Sequence, residues 1–254
     1  MKKGHVPALL ILLLFGAAKM NFEQRLAEEH RQAFFHGAKL NLSMRQQIGQ
    51  GGFLAALSGF RSVVADFLWI EAHDAWQKTE WARMTLLFQN VTALQPRNVM
   101  FWDISAWHLG YNASLAALQD KSQPREAIRI RNQKQYFKMA EDFLPRGIQN
   151  NPDTFQLYEK LGMLYQDKFK DDSKAFEYFD KAARFRQAPV YEKRFAAYHL
   201  SYIPGREQEA YDLLAKYYKM GENEHVPTLL LRLKYLEDKL NIPPSERVYN
   251  PDKK

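Results

Sequence analysis

Apolar side chains recur every three or four residues along most of this chain, which is the spacing of one face of an α-helix. In the clearest segment, residues 151–189, two amphipathic stretches are separated by a polar run from Lys168 to Ser173, and Pro189 closes the second. No segment shows the alternation that is typical of a strand. The pattern therefore predicts an all-α protein built from pairs of helices. The side chains predicted to pack this pair together are Tyr158, Leu161, Gly162, Tyr165, Ala175, Phe179 and Ala182.

Similar pairs are predicted before and after this segment, most of them ended by Pro or Gly. The predicted helices cover residues 53–77 and 80–94, then a long pair whose packing residues include Trp102, Ala106 and Ala140, and finally 190–203 and 207–220. A last helix over 226–240 is expected to cap the stack by covering the last pair. Residues 53–242 are thus predicted to form the repeat domain, and residues 243–254 an extended tail.

The long pair contains more chain between its halves than a simple turn needs, roughly residues 112–136. We expect both of its helices to be extended into a hairpin that projects beyond its neighbours, with a kink at Pro145. A solvated helix face is the simplest explanation for the basic residues of this hairpin. A docking point for anionic headgroups or an acidic partner is the alternative. The residues of this candidate basic patch are Arg125, Arg129, Arg131 and Lys134.

The order of residue types in these pairs resembles the tetratricopeptide repeat (TPR). That repeat has an aromatic residue, a Leu-Gly pair and a Tyr, then Ala-x3-Phe and a Pro, over roughly 34 residues. Segment 151–189 resembles it closely, with Tyr158 in the position usually held by Trp, and the resemblance extends over roughly residues 66–220. It implies a TPR-like helical-hairpin solenoid, wound as a right-handed superhelix, with a capping helix at its C-terminal end.

The resemblance also implies a partner groove, because the first helix of each TPR pair faces the concave side and usually holds an extended peptide or a partner's helix. A second possibility is that the N-terminal helices pack over Trp69 and Trp76. The residues that the TPR register places on or near the groove are Trp69, His73, Trp76, Trp107, Glu159 and Met163.

The N-terminal segment 1–20 has the features of a targeting signal. Lys2 and Lys3 precede an uncharged, mostly apolar run that ends at Ala18. Cleavage near Ala18 would give an exported soluble protein. Retention would give a hydrophobic helix that anchors the chain in a bacterial inner membrane, with the repeat domain outside the cytoplasm. We expect the anchor, since residues 21–52 continue as an amphipathic helix and linker.

Composition excludes several classes of function. The 254 residues include no Cys, which removes disulfides, zinc ribbons and thiol nucleophiles together. The net charge is +7, but 36 basic residues are mixed with 29 acidic ones, so we expect no nucleic-acid partner. No glycine-rich phosphate loop, HExxH or Gly-x-Ser-x-Gly motif is present. We therefore expect no catalytic residue, no cofactor and no metal.

These observations predict a non-catalytic protein–protein interaction scaffold. An exported, membrane-anchored array of repeats would assist the assembly of an envelope complex, such as a pilus, secretion or polymer-export machine. One alternative is an envelope enzyme that acts on glycan or peptide in a helical cleft through His73, Asp66 or Glu71. Another is a peripheral lipid-binding protein that uses the basic patch.

Overall fold

The structure, a computed structural model, describes residues 59–249. All regular structure in this range is helical and none of it is strand, which confirms the prediction of an all-α protein for the described part of the chain. No helix within residues 59–249 is long and apolar enough to span a membrane. The predicted targeting segment 1–20, the predicted helix and linker 21–52 and the last five residues of the tail lie outside the described residues.

Nine helices follow one another within residues 59–249. They are α1 (Arg61–Gln77), α2 (Trp81–Leu94), α3 (Val99–Trp107, the π-helical His108–Ala113 and Ser114–Gln119), α4 (Glu126–Asn150), α5 (Gln156–Leu164 and the π-helical Tyr165–Phe169), α6 (Asp172–Ala183), α7 (Val190–Leu200), α8 (Glu207–Tyr218) and α9 (Pro227–Lys239). A short 3₁₀ turn, Glu222–Glu224, precedes α9.

The chain divides into two compact units between Pro152 and Asp153. In the first unit α1 packs on α2, α2 also contacts α3, and α3 packs on α4 along its whole length. In the second unit α5 packs on α6, α6 on α7, α7 on α8, and α8 on α9. Each unit is therefore a series of hairpins in which every helix contacts the next one along the chain.

The α5–α6 hairpin is held by a close approach at Gly162. A Cβ atom at this position would lie 3.1 Å from three atoms of the Phe179 ring, so any larger residue must displace that ring. Phe179 is completely buried, and its ring stacks on His199 and meets Phe195 edge-on, each at 5.4 Å. The packing residues predicted for this pair are buried, except Tyr158, which is partly buried and lies beside Phe185 at 5.6 Å.

The α3–α4 hairpin is anchored at its base by Trp102. The indole Nε1 donates to the carbonyl of Pro96 at 2.9 Å, and the ring meets Phe143 edge-on at 5.9 Å. Asn151, just after α4, donates to the same Pro96 carbonyl at 2.9 Å. The α2–α3 connection is thereby joined to both ends of the hairpin. Helix α4 continues through Pro145 to Asn150.

The single helix predicted over residues 53–77 is wrong in the described part, because α1 begins at Arg61, and residues 53–58 lie outside the described residues. Gly59 has a φ of 84°, a left-handed conformation that a right-handed helix cannot contain. Within the described residues, Arg61 is partly buried, whereas Asp66 lies on the exposed side of α1.

The first part of the predicted tail packs on the second unit. The side chain of Glu237, completely buried in α9, accepts hydrogen bonds from the backbone N–H groups of Val248 and Tyr249 at 2.8 and 3.1 Å. Both of these tail residues also pack against the leucine-rich core formed by α7, α8 and α9. A buried carboxylate therefore fixes the tail as far as Tyr249.

Candidate functional site

Five aromatic and imidazole rings form a continuous row across α1 and α3 of the first unit. The ring of His73 lies 4.9 Å from that of Trp76, and Trp76 lies 5.1 Å from His108. His108 lies 5.1 Å from Trp107, whose ring is stacked 6.3 Å from Tyr111. We call these five residues the aromatic row. It joins the first helices of two successive hairpins.

The aromatic row is buried at His108 and exposed at His73 and Trp107. His108 is only 7% exposed, while Trp107 is 48% exposed and His73 is also open to solvent. A half-exposed Trp that rests on buried rings is a preorganised apolar surface, since its side chain has little conformational freedom left to lose on binding.

His108 acts as a neutral, mainly apolar ring. Burial, with a smaller contribution from His73, lowers the pKa of His108 to about 4. Its Nδ1 lies 2.9 Å from the side-chain amide nitrogen of Asn112, so Nδ1 accepts this bond and the ring proton is assigned to Nε2. The imidazole also stacks on Phe88 at 5.6 Å. The centre of the row is thus uncharged at neutral pH.

A π-helical segment shapes the exposed end of the row. The segment runs from His108 to Ala113, and the Ser114 hydroxyl donates to the carbonyl of Gly110 at 2.7 Å. The wider turn keeps His108 buried while Trp107 and Tyr111 stack almost parallel beside it, with 20° between their planes. π-Helical turns occur frequently at functional sites.

Trp69, which was predicted near the same groove, packs into the core instead. Its ring lies 5.5 Å from Phe88 and 4.7 Å from Phe101, in a cluster with Val91 and Leu94. Within the described residues, side chains of α2 and α3 pack over Trp69. Of the four groove candidates in the first unit, the structure brings His73, Trp76 and Trp107 together through His108.

The other two groove candidates, Glu159 and Met163, lie partly buried on α5 in the second unit. Glu159 accepts a hydrogen bond from the Tyr191 hydroxyl at 3.2 Å. It also acts on Glu192, a completely buried carboxyl on α7. Burial first, and then the charge of Glu159, raise the pKa of Glu192 to about 8. Burial and the same neighbour raise the pKa of Tyr191 to about 12. Glu159 is therefore engaged with α7.

The three residues considered for an enzyme do not form a catalytic arrangement. Asp66 and His73 are seven residues apart on α1, which is about 10 Å along the axis and too far for direct proton transfer. Glu71 is paired with Arg83 at 3.2 Å. Residues 59–249 contain no group of three or more His, Cys, Asp or Glu that could hold a metal ion.

The candidate basic patch lies at the turn and on the outer part of α4. Arg129 donates to the carbonyl of Gln123 at 2.9 Å and so stabilises the turn of the hairpin. Arg125, Arg131 and Lys134 are exposed, and none of them forms an ion pair with another residue of the described range. Three of the four predicted cations are therefore available to a ligand.

Sequence reasoning missed several buried polar residues, among them His108, Glu192 and His199. The His199 ring lies between Asp172 Oδ1 and Gln166 Oε1, each 2.7 Å from one ring nitrogen. His108 and His199 sit within otherwise apolar runs of the sequence, Trp107–Leu109 and Phe195–Leu200. That position is a usable signal of a buried polar group, because a polar group in the core needs a hydrogen-bond partner.

Comparisons of this chain with protein-family models, with curated proteins and with solved structures give no match. The class of protein is accordingly defined by the fold and the site alone. It is an all-helical protein of successive hairpins, with a preorganised aromatic surface on its first unit.

Proposed function

We propose that this protein is a non-catalytic scaffold that binds a partner protein on the aromatic row. The observation that carries the proposal is the half-exposed Trp107, held between His108 and Tyr111. Trp and Tyr are enriched among the residues that dominate the binding energy at protein interfaces. Their contribution is largest when neighbouring groups exclude water around them.

The contacts between successive hairpins support a TPR-like solenoid. Side chains about one repeat apart meet within each unit, as Trp76 meets His108 and as Gln166 meets His199 across 33 residues. The Gly162–Phe179 contact is the one that the repeat pattern requires. On this proposal α1 and α3 supply the concave, partner-binding side of the first unit.

We also propose that the scaffold works outside the cytoplasm, tethered to a bacterial inner membrane, in the assembly of an envelope complex. The support is in the sequence, where Lys2 and Lys3 precede the apolar run of segment 1–20. The intact mass of the protein isolated from membranes tests the tether, since cleavage near Ala18 would remove it.

A photo-reactive amino acid at position 107 tests the proposed surface directly. The full-length protein carrying p-benzoylphenylalanine at Trp107 is expected to cross-link to one partner in intact cells. The matched control places the same group at Leu86, an apolar residue of α2 that is 40% exposed and lies outside the aromatic row. Equal products at both positions would contradict a specific interface.

The identified partner then allows a quantitative test with purified proteins. Trp107→Ala should weaken binding by about 2 kcal/mol, which is roughly thirtyfold in Kd, since it removes the central anchor. Leu86→Ala should change Kd less than about twofold. If Trp107→Ala binds the partner as tightly as the unmodified chain, the aromatic row is not the interface.

A further inference from the structure

A second concave surface lies in the first unit, between the α1–α2 turn and the extended α3–α4 hairpin. It is an open cleft with a volume of about 530 Å³, which is within the usual range for ligand sites. We call it the hairpin cleft and define it by six of its lining residues, Trp81, Ala116, Ala117, Asn132, Gln135 and Tyr136. It shares no residue with the aromatic row.

The walls of the cleft combine aromatic rings with unused amide groups. Trp81 and Tyr136 line the cleft, and both are partly buried. The side-chain amides of Asn132 and Gln135 make no hydrogen bond with any other residue in the range 59–249. Each amide offers both a donor and an acceptor, which is what the N–H and C=O groups of a peptide backbone require.

The side of the cleft formed by α3 is lined by small residues. Ala116 and Ala117 allow a chain to approach the helix closely. Asp120 lies at the outer end, where its Oδ1 accepts hydrogen bonds from the Ser122 backbone N–H and hydroxyl at 2.9 and 2.6 Å. This acidic group is therefore committed to the hairpin turn.

The rim of the cleft is basic. Arg131 and Lys138 lie one turn on either side of Gln135 along α4, and both are exposed and without an ion pair to any described residue. Residues 120–139 contain six Lys or Arg and two Asp or Glu, a formal charge of +4. Carboxylates that flank an apolar side chain would complement this rim.

We propose that the hairpin cleft binds an extended peptide segment of a partner protein, in which an apolar residue is flanked by Asp or Glu. Trp81 and Tyr136 hold the apolar side chain, the amides of Asn132 and Gln135 pair with the peptide backbone, and the rim cations attract the carboxylates. This site is independent of the aromatic row, so failure of one proposal leaves the other standing.

Selection from a random library tests the class of ligand without assuming a sequence. Immobilised full-length protein is exposed to phage that display random heptapeptides, and the Ala117→Leu variant is tested in parallel. The added Leu side chain fills the cleft, Leu is a good helix former, and the substitution removes no packing group. The unmodified protein should enrich acidic peptides with a central apolar residue, and Ala117→Leu should not. Equal enrichment by both proteins, or no acidic enrichment, would overturn the proposal.

Charge reversal on one helix separates the cleft from general electrostatic attraction. With the most enriched peptide, fluorescence anisotropy at low salt should show about tenfold weaker binding for Arg131→Glu and Lys138→Glu. Lys134→Glu makes the same charge change on α4, but it lies two residues from both Asn132 and Tyr136 and so faces away. It should weaken binding less than about threefold.

The same variants distinguish a peptide site from a membrane surface. Binding of the protein to vesicles that contain phosphatidylglycerol should be weakened equally by all three charge reversals. It should not change with Ala117→Leu. If binding of the enriched peptide is also weakened equally by the three charge reversals and unchanged by Ala117→Leu, the hairpin attracts anions in general and the cleft is not a peptide site. Trp81→Ala gives a second cleft variant, checked for helix content by circular dichroism.

Discussion

The α5–α6 and α3–α4 hairpins use the same type of helix pair in opposite ways. In α5–α6 the small residue is Gly162 and the large one is Phe179, and the two are in direct contact. In α3–α4 the corresponding positions are Ala106 and Leu144, which are both buried. Helix α4 also has 25 residues against 12 in α6.

This difference separates the residues that hold the fold from those that face a ligand. The short hairpin follows the repeat pattern, and its large side chains pack inside it. The long hairpin departs from the pattern in the extra length of α4 and in the cleft beside Tyr136, whereas a π-helical turn occurs in the first helix of both hairpins. Sites where a sequence breaks its own local rules are expected to be functional or strained ones.

The largest expected effect tests this separation by removing one ring from each hairpin. Phe179→Ala should destabilise α5–α6 by about 4 kcal/mol, because it deletes a completely buried ring and leaves a cavity. Tyr136→Ala should cost about 1 kcal/mol, since the ring lines an open cleft and water fills the space. Hydrogen exchange resolved by helix measures both opening free energies in the full chain.

The control for that pair is Leu144→Ala, the equivalent of Phe179 in the long hairpin. Its side chain is almost completely buried, so it should cost about 3 kcal/mol. If Tyr136→Ala proved as damaging as Leu144→Ala, the outer half of the long hairpin would be a packed core, and its proposed role in binding would fall.

A smaller effect is expected from the buried acid of the second unit. Because burial and Glu159 raise the pKa of Glu192 from its ordinary value of 4.5 to about 8, the folded protein holds a proton that the unfolded chain releases. The stability that this proton contributes is present at low pH and is lost as the pH rises from about 4.5 to 8. Glu192→Gln replaces the protonated acid with a permanently neutral group.

Urea unfolding at several pH values measures this contribution. Glu192→Gln should match the unmodified protein near pH 5 and exceed its stability at pH 8 by an amount on the order of 3 kcal/mol. The matched control is Glu246→Gln, an exposed acid of the tail, which should follow the unmodified protein throughout. A pH-independent difference for Glu192→Gln would mean that the buried acid does not hold the linked proton.

The helix pairs could be predicted from the sequence because helical periodicity is a local property. The packing residues between Tyr158 and Ala182 have the repeat spacing, and the same register brought His73, Trp76 and Trp107 to one surface. The helix boundary at Gly59 was missed because the apolar pattern continues through a glycine whose left-handed φ interrupts the helix.

The remaining parts depend on contacts between helices and on protonation, which a local pattern does not contain. Burial lowers the pKa of His108 and keeps its ring neutral, and a π-helical turn shifts the register around it. Glu159 and Glu192, like Gln166 and His199, lie about one repeat apart. The repeat length was therefore the signal that could have paired them.

The smallest expected effect compares the two left-handed residues that end the first helices of two hairpins. Thr79 follows α1 with a φ of 58°, and the N–H groups of Glu80 and Thr79 donate to the carbonyls of Ala75 and Trp76 at 2.8 and 2.9 Å. This is the helix ending that normally carries Gly, and a β-branched residue fits it poorly. Thr79→Gly should therefore raise the stability of α1–α2 by about 1 kcal/mol.

Lys170, with a φ of 54° after α5, is the matched position in the short hairpin. Its side chain is unbranched at Cβ, so Lys170→Gly should gain only about half as much. Helix-resolved hydrogen exchange again gives both values. A larger gain at Lys170 than at Thr79 would contradict the argument that branching at Cβ sets the cost of the left-handed conformation at these two helix ends.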